Sequence, residues 1–102
     1  MQRFIIAKPA GENLKSIARY TERTWGNAQR QRYLASLYER FAFLAQFPGK
    51  GISRDELASG LRSFKEGKHL IFYFTQDAAI LIVDILHESM DIDARMERWT
   101  QG

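Results

Sequence analysis

The sequence contains no cysteine, and this absence excludes disulfide bonds and thiolate metal sites. It also favours a reducing compartment, where proteins rarely depend on disulfides. No window approaches the run of ~20 apolar residues that a membrane span requires, and the apolar run near the N-terminus is too short for a signal peptide. At 102 residues the chain can bury one core of modest size. We therefore expect a single soluble, cytoplasmic domain that spans residues 1–102.

A recognisable catalytic or metal-binding motif is also lacking. Gly49 and Gly51 are not followed by the Lys–Ser/Thr pair of a phosphate-binding loop. His69 and His87 are the only histidines, and they lack the HxxxH or HxH spacing of a metal site. A trio of Ser63, His87 and Asp91 is formally possible, but any small domain offers one like it. The sequence therefore gives no catalytic residue, no metal ligand and no cofactor.

Acidic residues are slightly fewer than basic residues. The chain has 12 Asp and Glu against 15 Lys and Arg, a formal net charge of +3 and a pI of about 9.4. Such a charge favours nucleic acid or an acidic protein as a partner. Many small domains carry it without either role, so charge alone does not choose between them.

What the sequence does contain is a β-rich segment at 61–91. Short runs of Val, Ile, Phe and Tyr dominate it, and these residue types favour strands. A first alternating run ends at Gly67, which predicts a tight turn. A second run covers 69–75, a turn is expected at 76–78, and a third run at 79–86 is apolar on both faces. The segment predicts an antiparallel three-stranded meander.

Two helices are expected before the meander. The apolar run 3–7 ends at Pro9, which predicts a strand followed by a helix. Apolar residues then recur at helical spacing on both sides of Gly26–Asn27, and 47–49 ends the second helix. So short a connection predicts an antiparallel helical hairpin. The first stripe is Leu14, Ile17, Ala18, Thr21 and Trp25; the second is Tyr33, Leu34, Leu37, Tyr38, Phe41, Ala42, Leu44 and Ala45.

The stripe of the second helix is broader than one sheet contact needs, and it has two interpretations. It can pack on both the first helix and the sheet, or present part of its width to a partner. In either case we expect a core that includes Leu34, Leu37, Phe41 and Ile82.

The remaining segments complete the expected fold. Residues 50–60 predict a loop with one possible helical turn at 54–57. A short last helix is expected after Asp91, with Ile92, Met96 and Trp99 on one face. The predicted class is α+β: an N-terminal strand at the edge of an antiparallel sheet, a helical hairpin packed on one face, and a short C-terminal helix.

The last predicted strand ends in a polar cluster at 87–91, and strand ends often carry function. A cationic set could gather nearby and hold phosphates or acidic side chains. The alternative is a solvated sheet face on which His87 makes structural hydrogen bonds. The cationic set is Arg62, Lys65, Lys68 and His69.

Several motifs, in this order and at this spacing, carry a family resemblance. They are Pro9 with 14–17, Trp25–Gly26, 47–49, 60–62, 69–73, 85–87, and Met90–Asp91. Together with the order of strand, helical hairpin, glycine-bearing loop and meander, they make the chain resemble the RelE/ParE superfamily of bacterial type II toxins. Within it the chain is similar to the ParE branch.

This resemblance implies a toxin that is neutralised by a ParD-like antitoxin and that inhibits growth by binding and poisoning DNA gyrase. It implies no chemistry of the chain's own, no membrane association and no sequence-specific binding to nucleic acid. The alternative on the same fold is a ribosome-dependent mRNA endonuclease of the RelE branch. A small basic adaptor without toxicity is a third possibility.

Particular residues bear on the choice between the two toxin branches. RelE-type nucleases place an Arg near the end of the last strand and a Tyr in the tail, whereas this chain has His87 and no Tyr after it. Arg62 corresponds to a sheet Arg of both branches. Ser89 stands where ParE relatives often carry a basic residue, and Lys8 replaces a small residue expected before Pro9.

The resemblance also implies two sets of contact residues. The candidate target-binding residues are Arg62, Lys68, His87, Met90, Asp91, Arg95 and Arg98. The candidate antitoxin-binding residues are Tyr33, Leu37, Tyr38 and Phe41.

Overall fold

The computed structural model describes residues 3–90 and 92, and within them the helices and strands follow the predicted order. The elements are β1 (Arg3–Ile6), α1 (Lys8–Trp25), α2 (Asn27–Gln46), a 3₁₀ turn (Pro48–Lys50), β2 (Ile52–Ser53), β3 (Leu61–Glu66), β4 (His69–Gln76) and β5 (Ala79–His87). These strands form one sheet in the order β1-β5-β4-β3-β2. β1 runs parallel to β5, and all other neighbours are antiparallel. The α+β fold, the meander and the edge position of the first strand are confirmed.

The edge strand β2 differs from the prediction, because it lies within the segment 50–60 that the sequence predicts as a loop. It is only two residues long, and Ile52 pairs with Ser63 of β3. Ile52 is 65% exposed. A strand this short and this exposed carries no apolar alternation, so its sequence does not reveal it.

Gly26 alone separates the two helices. Its φ of +96° is a conformation that residues with a Cβ rarely adopt. Its N–H donates to the carbonyl of Glu22 at 2.9 Å, and its own carbonyl accepts the N–H of Arg30 at 3.1 Å. The chain therefore reverses direction within one residue, and α1 packs against α2 as the predicted hairpin.

Trp25 is not part of the buried stripe that the helical period predicts. Ala10, Leu14 and Ile17 of α1 are buried, whereas Trp25 at the end of the helix is 72% exposed. The reason is that α1 packs on β5 over only part of its length and no residue beyond Ile17 is buried. The period gives the direction of a side chain, but not the point at which the sheet beneath it stops.

Apolar side chains cover both faces of the sheet. The larger cluster joins the helices to the sheet and contains Leu37, Phe41 and Ile82 with no exposed surface, as predicted. Leu34 is only partly buried at its margin. A smaller cluster on the opposite face contains Leu61, Phe72 and Leu86, packed against Leu57, Ala58, Leu70, Phe74, Val83 and Ile92. Coverage on both faces explains why β4 and β5 are apolar on both sides.

A β-bulge interrupts the pairing of β4 with β5. Phe72 lies opposite Asp84, but the next residue, Tyr73, lies opposite Ile82, so Val83 is an extra residue in β5. At the bulge the buried Asp84 carboxylate accepts a hydrogen bond from the Asn13 amide of α1. It also accepts the N–H of Ile85 at 2.9 Å. The bulge therefore gives α1 a polar attachment to β5.

No helix within the described residues is both long enough and apolar enough to cross a membrane. The predicted C-terminal helix, with Met96 and Trp99, falls outside these residues except for Ile92, which contributes to the smaller cluster.

Candidate functional site

The structure forms an open groove of about 830 Å³ between the far half of the helical hairpin and the ends of β4 and β5. The helices supply one wall and the strand ends supply the other. The groove is lined by Ser16, Ile17, Tyr20, Thr21, Trp25, Gln29, Tyr33, Lys68, His69, His87, Ser89 and Met90. It thus brings together Lys68, His87 and Met90 of the predicted target-binding set.

Two imidazoles line the strand-end wall of the groove. His69 on β4 and His87 on β5 are directly opposite one another, with ring centroids 5.3 Å apart and an interplanar angle of 88°. The bulge creates this pairing. Between the β4–β5 turn and the bulge, Gln76 pairs with Ala79, and the same register continued along the strands would pair His69 with Leu86. Because the bulge adds one residue to β5, His69 pairs with His87 instead.

Hydrogen bonds at Nδ1 hold the His87 ring. The Ser89 N–H donates to Nδ1 at 3.1 Å, and the Ser89 hydroxyl lies 2.7 Å from the same nitrogen. Because Nδ1 accepts the backbone N–H, the proton of the neutral ring belongs on Nε2. His87 therefore offers its Nε2–H as a donor. His87 thus makes structural hydrogen bonds, which was one of the two interpretations of the strand-end cluster. It also lines the groove.

Tyr33 of α2 holds the second imidazole. Its hydroxyl donates to the carbonyl of Glu66 at 3.1 Å and lies 2.6 Å from Nδ1 of His69. Burial is the main cause that lowers the pKa of His69 to about 4, and His87 lowers it further, while Glu88 acts in the opposite direction. Burial likewise raises the pKa of the Tyr33 hydroxyl. His69 is therefore neutral at physiological pH.

Exposed charges lie next to the groove on β3, on the turn between β3 and β4, and directly after β5. Lys65 lies 2.9 Å from the carboxylate of Glu88, and Lys68 lies 4.0 Å from it. The hydrogen bond from Lys65 is the main cause that lowers the pKa of Glu88. The Lys68 side chain is 77% exposed, so it remains accessible to a partner.

Arg62 lies away from the target-binding candidates Lys68, His87 and Met90, and it does not line the groove. It is four residues from the end of β3, a distance of about 13 Å along a strand. Its guanidinium donates to the carbonyl of Gly51 at 2.7 Å. The structure therefore uses Arg62 to fix the segment before β2.

Arg62 is one part of a hydrogen-bonded region that we call the closed corner, formed by Pro48, Gly51, Arg62 and Tyr73. The hydroxyl of the buried Tyr73 donates to the carbonyl of Pro48 at 2.7 Å and accepts the N–H of Gly51 at 3.0 Å. Burial raises the pKa of this hydroxyl, against the lowering effects of Gly51 and the Arg62 cation. The closed corner thus has its polar atoms directed at one another.

The antitoxin-binding candidates divide by exposure. Leu37 and Phe41 have no exposed surface, so a partner cannot reach them in this conformation. Tyr38 is 44% exposed and packs against Phe4 of β1, whereas Tyr33 lies in the groove. Because the helical period places Tyr33 and Tyr38 on different sides of α2, they belong to separate surfaces. Of the predicted set, Tyr33 and Tyr38 are therefore the residues with exposed surface.

Sequence reasoning missed the aromatic wall of the groove. Tyr20 and Trp25 are exposed, by 54% and 72%, and both line it. A signal was available in Gly26: a hairpin closed by a single residue leaves the side chains at its tip without a covering layer. Asp91, Arg95 and Arg98 of the predicted target set lie outside the described residues. Within residues 3–90 and 92, no group of three His, Cys, Asp or Glu side chains could hold a metal ion.

Comparison with protein families and with proteins of known name gives a consistent result. Residues 4–92 match the family described as the ParE toxin of the type II toxin–antitoxin system parDE. Toxin ParE of Escherichia coli is 37% identical over 103 residues, which covers 100% of both chains. Toxin ParE1 of Mycobacterium tuberculosis is 32% identical over 95 residues, covering 92% of this chain and 97% of that toxin.

A solved structure shows the same fold at low sequence identity. A chain of the chromosomal ParDE toxin–antitoxin system from P. aeruginosa superposes with a TM-score of 0.71 and 17% identity. The match covers 85% of this chain and 96% of that chain.

Proposed function

This chain belongs to the ParE toxin family of type II toxin–antitoxin systems, and we propose that it inhibits growth by binding and poisoning DNA gyrase, with no chemistry of its own. Family membership carries the proposal, because gyrase is the target that the ParE branch implies. We place this activity in the cytoplasm. We also propose that a ParD-like antitoxin binds and neutralises the toxin.

The geometry of the strand ends supports a binding role. Lys68, His87 and Met90 lie on one accessible groove, which is the arrangement that a contact surface needs. His87 has its Nδ1 occupied by Ser89, and His69 has its Nδ1 next to the Tyr33 hydroxyl. Rings held in this way suit fixed donors and acceptors to a partner.

The groove also favours one second candidate, a ribosome-dependent mRNA endonuclease. Two imidazoles 5.3 Å apart beside Lys68 could serve as acid and base on a phosphodiester. Two observations weigh against it: His87 stands where the nuclease branch has an Arg, and the sequence has no Tyr after His87.

Tightly controlled expression of the chain alone tests the proposal. We expect growth arrest in which DNA damage precedes mRNA loss, and we expect the purified toxin to stabilise cleaved DNA in the presence of gyrase. A chain that arrests nothing would favour the adaptor without toxicity.

The variant His87→Gln separates the two mechanisms. A contact residue should lose only part of its activity, whereas a general base contributes ~10²–10⁴ in rate and its loss should be nearly complete. Ser53→Ala, on the far edge strand, is the control and should behave like the unmodified chain. Codon-specific mRNA cuts that vanish in His87→Gln would reject gyrase poisoning.

A further inference from the structure

The two histidines of the groove are held in opposite tautomers. The Tyr33 hydroxyl carries a single proton, which it donates to the Glu66 carbonyl, so in its 2.6 Å contact with His69 it accepts from Nδ1–H. Nε2 of the neutral His69 ring is therefore a lone-pair acceptor. His87 has the reverse arrangement, with its proton on Nε2, because its Nδ1 accepts the Ser89 N–H. The facing rings thus provide one acceptor nitrogen and one donor nitrogen.

Both Nε2 atoms are available to a ligand. Within residues 3–90 and 92 neither takes part in a hydrogen bond, and both rings line the groove. A carboxylate has only acceptor oxygens, so it would meet the lone pair of His69. The pair instead matches a planar group in which an acceptor lies next to a donor, as in the edge of a nucleobase or in a carboxamide.

The opposite wall favours the nucleobase over the carboxamide. Tyr20 and Trp25 are exposed by 54% and 72%, and they line the groove together with Tyr33. Aromatic side chains bind bases by stacking, whichever base is present, because every base has a π face. The volume of about 830 Å³ lies within the range of sites for small organic ligands. The groove therefore combines a wall for the face of a base with a wall for its edge.

The charge of the groove matches the phosphate of a nucleotide. Among the described residues its lining includes Lys68 and no carboxylate. Glu88 lies 2.9 Å from Lys65 but 4.0 Å from Lys68, so Lys65 is its closer partner. The Lys68 side chain is 77% exposed and remains able to form a charge-assisted hydrogen bond with a phosphate.

We propose that this groove binds a purine nucleotide through three contacts. The base stacks on Tyr20 and Trp25. The edge of the base donates to His69 and accepts from His87, while the phosphate contacts Lys68. A free nucleotide and a nucleotide unit of a single strand share this chemistry. The proposal is independent of the proposed action on gyrase, because it concerns a ligand of the free chain, and either can fail without the other.

The first measurement checks the tautomers. His69 and His87 are the only histidines of the sequence, so long-range proton–nitrogen NMR spectra of the untagged chain contain no other imidazole, and His87→Gln assigns the signals. We expect the proton on Nδ1 of His69 and on Nε2 of His87. Two rings in the same tautomer would overturn the proposal, because the groove would then lack its donor–acceptor pair.

The second measurement titrates the free chain with adenosine monophosphate and follows the same imidazole signals. We expect saturable shifts of both rings. Adenosine lacks the phosphate and ribose 5-phosphate lacks the base, so each should bind at least about fivefold more weakly than the nucleotide.

Substitutions separate the contacts. Trp25→Ala should weaken nucleotide binding by about tenfold, because it removes a stacking face. Lys68→Gln should reduce the affinity for the nucleotide to that for adenosine and leave adenosine binding unchanged. The matched controls Ile52→Ala and Lys50→Gln should change either affinity by less than about twofold, because neither residue lines the groove. Thermal melting should show all four variants folded, since each replaced side chain is exposed.

Three results would overturn the proposal. The first is no saturable shift up to about 10 mM nucleotide. The second is ribose 5-phosphate binding as tightly as the nucleotide, which would reduce the site to an anion contact at Lys68. The third is acetamide binding as tightly, which would assign the histidines to a carboxamide. An oligoadenylate of four residues distinguishes the two sources: tighter binding than the mononucleotide supports a single strand as the occupant, and equal or weaker binding supports the free nucleotide.

Discussion

The closed corner and the groove share strand β4, yet the polar groups of the closed corner bond to one another whereas those of the groove are partly exposed. In the closed corner Tyr73, Gly51 and Pro48 satisfy one another, and Arg62 completes the network. In the groove Lys68 and Met90 face solvent, and Trp25 projects from the helix tip. A polar group bonded inside the chain adds to folding, while one left exposed is available to a partner. Substitutions should therefore cost stability at the closed corner and binding at the groove.

The largest effect is expected at Gly51. A Cβ at this position would lie 2.2 Å from the Tyr73 hydroxyl oxygen, and the buried Tyr73 ring has no room to move away. Gly51→Ala should therefore lower the free energy of unfolding by about 2–4 kcal/mol. Urea denaturation measures this, with Gly49→Ala as the control, because a Cβ at Gly49 meets nothing within 4 Å. Equal stability of the two variants would contradict the packing described for the closed corner.

A smaller loss is expected when only the hydroxyl of the closed corner is removed. Tyr73→Phe keeps the ring but leaves the Pro48 carbonyl and the Gly51 N–H without their partner. An unsatisfied buried group costs about 1–3 kcal/mol, so the free energy of unfolding should fall by that amount. Tyr20→Phe in the groove is the matched control and should be nearly neutral, since Tyr20 is exposed. A neutral Tyr73→Phe would show that water replaces the hydroxyl and that the corner is not closed.

The smallest effect is expected in the groove and depends on pH. The pKa of His69 is about 4 in the folded chain against an ordinary value of 6.5, so between these values the unfolded chain binds a proton that the folded chain does not. Stability from this group is thus complete above pH 6.5 and is lost as the pH falls towards 4. Because His69 is only about half buried, the loss should be about 1 kcal/mol after allowance for solvent screening.

Thermal melting of the unmodified chain and of His69→Gln across this pH range measures the effect. Below pH 6.5 the stability of the variant should fall less steeply with decreasing pH than that of the unmodified chain, because it lacks the contribution of His69. The contribution of the carboxylates is common to both proteins. Identical slopes would mean that His69 is as solvated in the folded chain as in the unfolded one, and the groove would then be more open than its hydrogen bonds indicate.

The same contrast explains which features the sequence could predict. Leu37, Phe41 and Ile82 are buried where periodicity placed them, because period and residue type encode a local direction. The exposure of Trp25 was predicted wrongly, since it depends on where α1 passes the sheet, which is a property of the assembled fold. The bond from Arg62 to the Gly51 carbonyl depends on the path of the segment before β2, which no periodicity encodes.

The candidate site was predictable only in part, for the same reason. The strand-end cluster at His87 and the charged turn at Lys68 could be found from residue type and position. The partnership of His69 with His87 could not, because a regular ladder from the 76–79 turn would have paired His69 with Leu86. The pairing depends on the bulge, and the sequence at Val83–Asp84 gives no distinct signal for one.

The bulge also has a consequence for how related chains should be aligned. β5 holds one residue more than its ladder with β4 requires, and the surplus lies at Val83. A relative that lacks one residue at this point could form an unbroken ladder between the two strands. Its equivalents of Ile85 and His87 would still face the helices, because side chains alternate sides along a strand. It would lose the Asp84 position that accepts the hydrogen bond from Asn13. A gap placed instead after Ile85 would turn the residue equivalent to His87 to the opposite face, so an alignment of this strand should accept length changes only at the bulge.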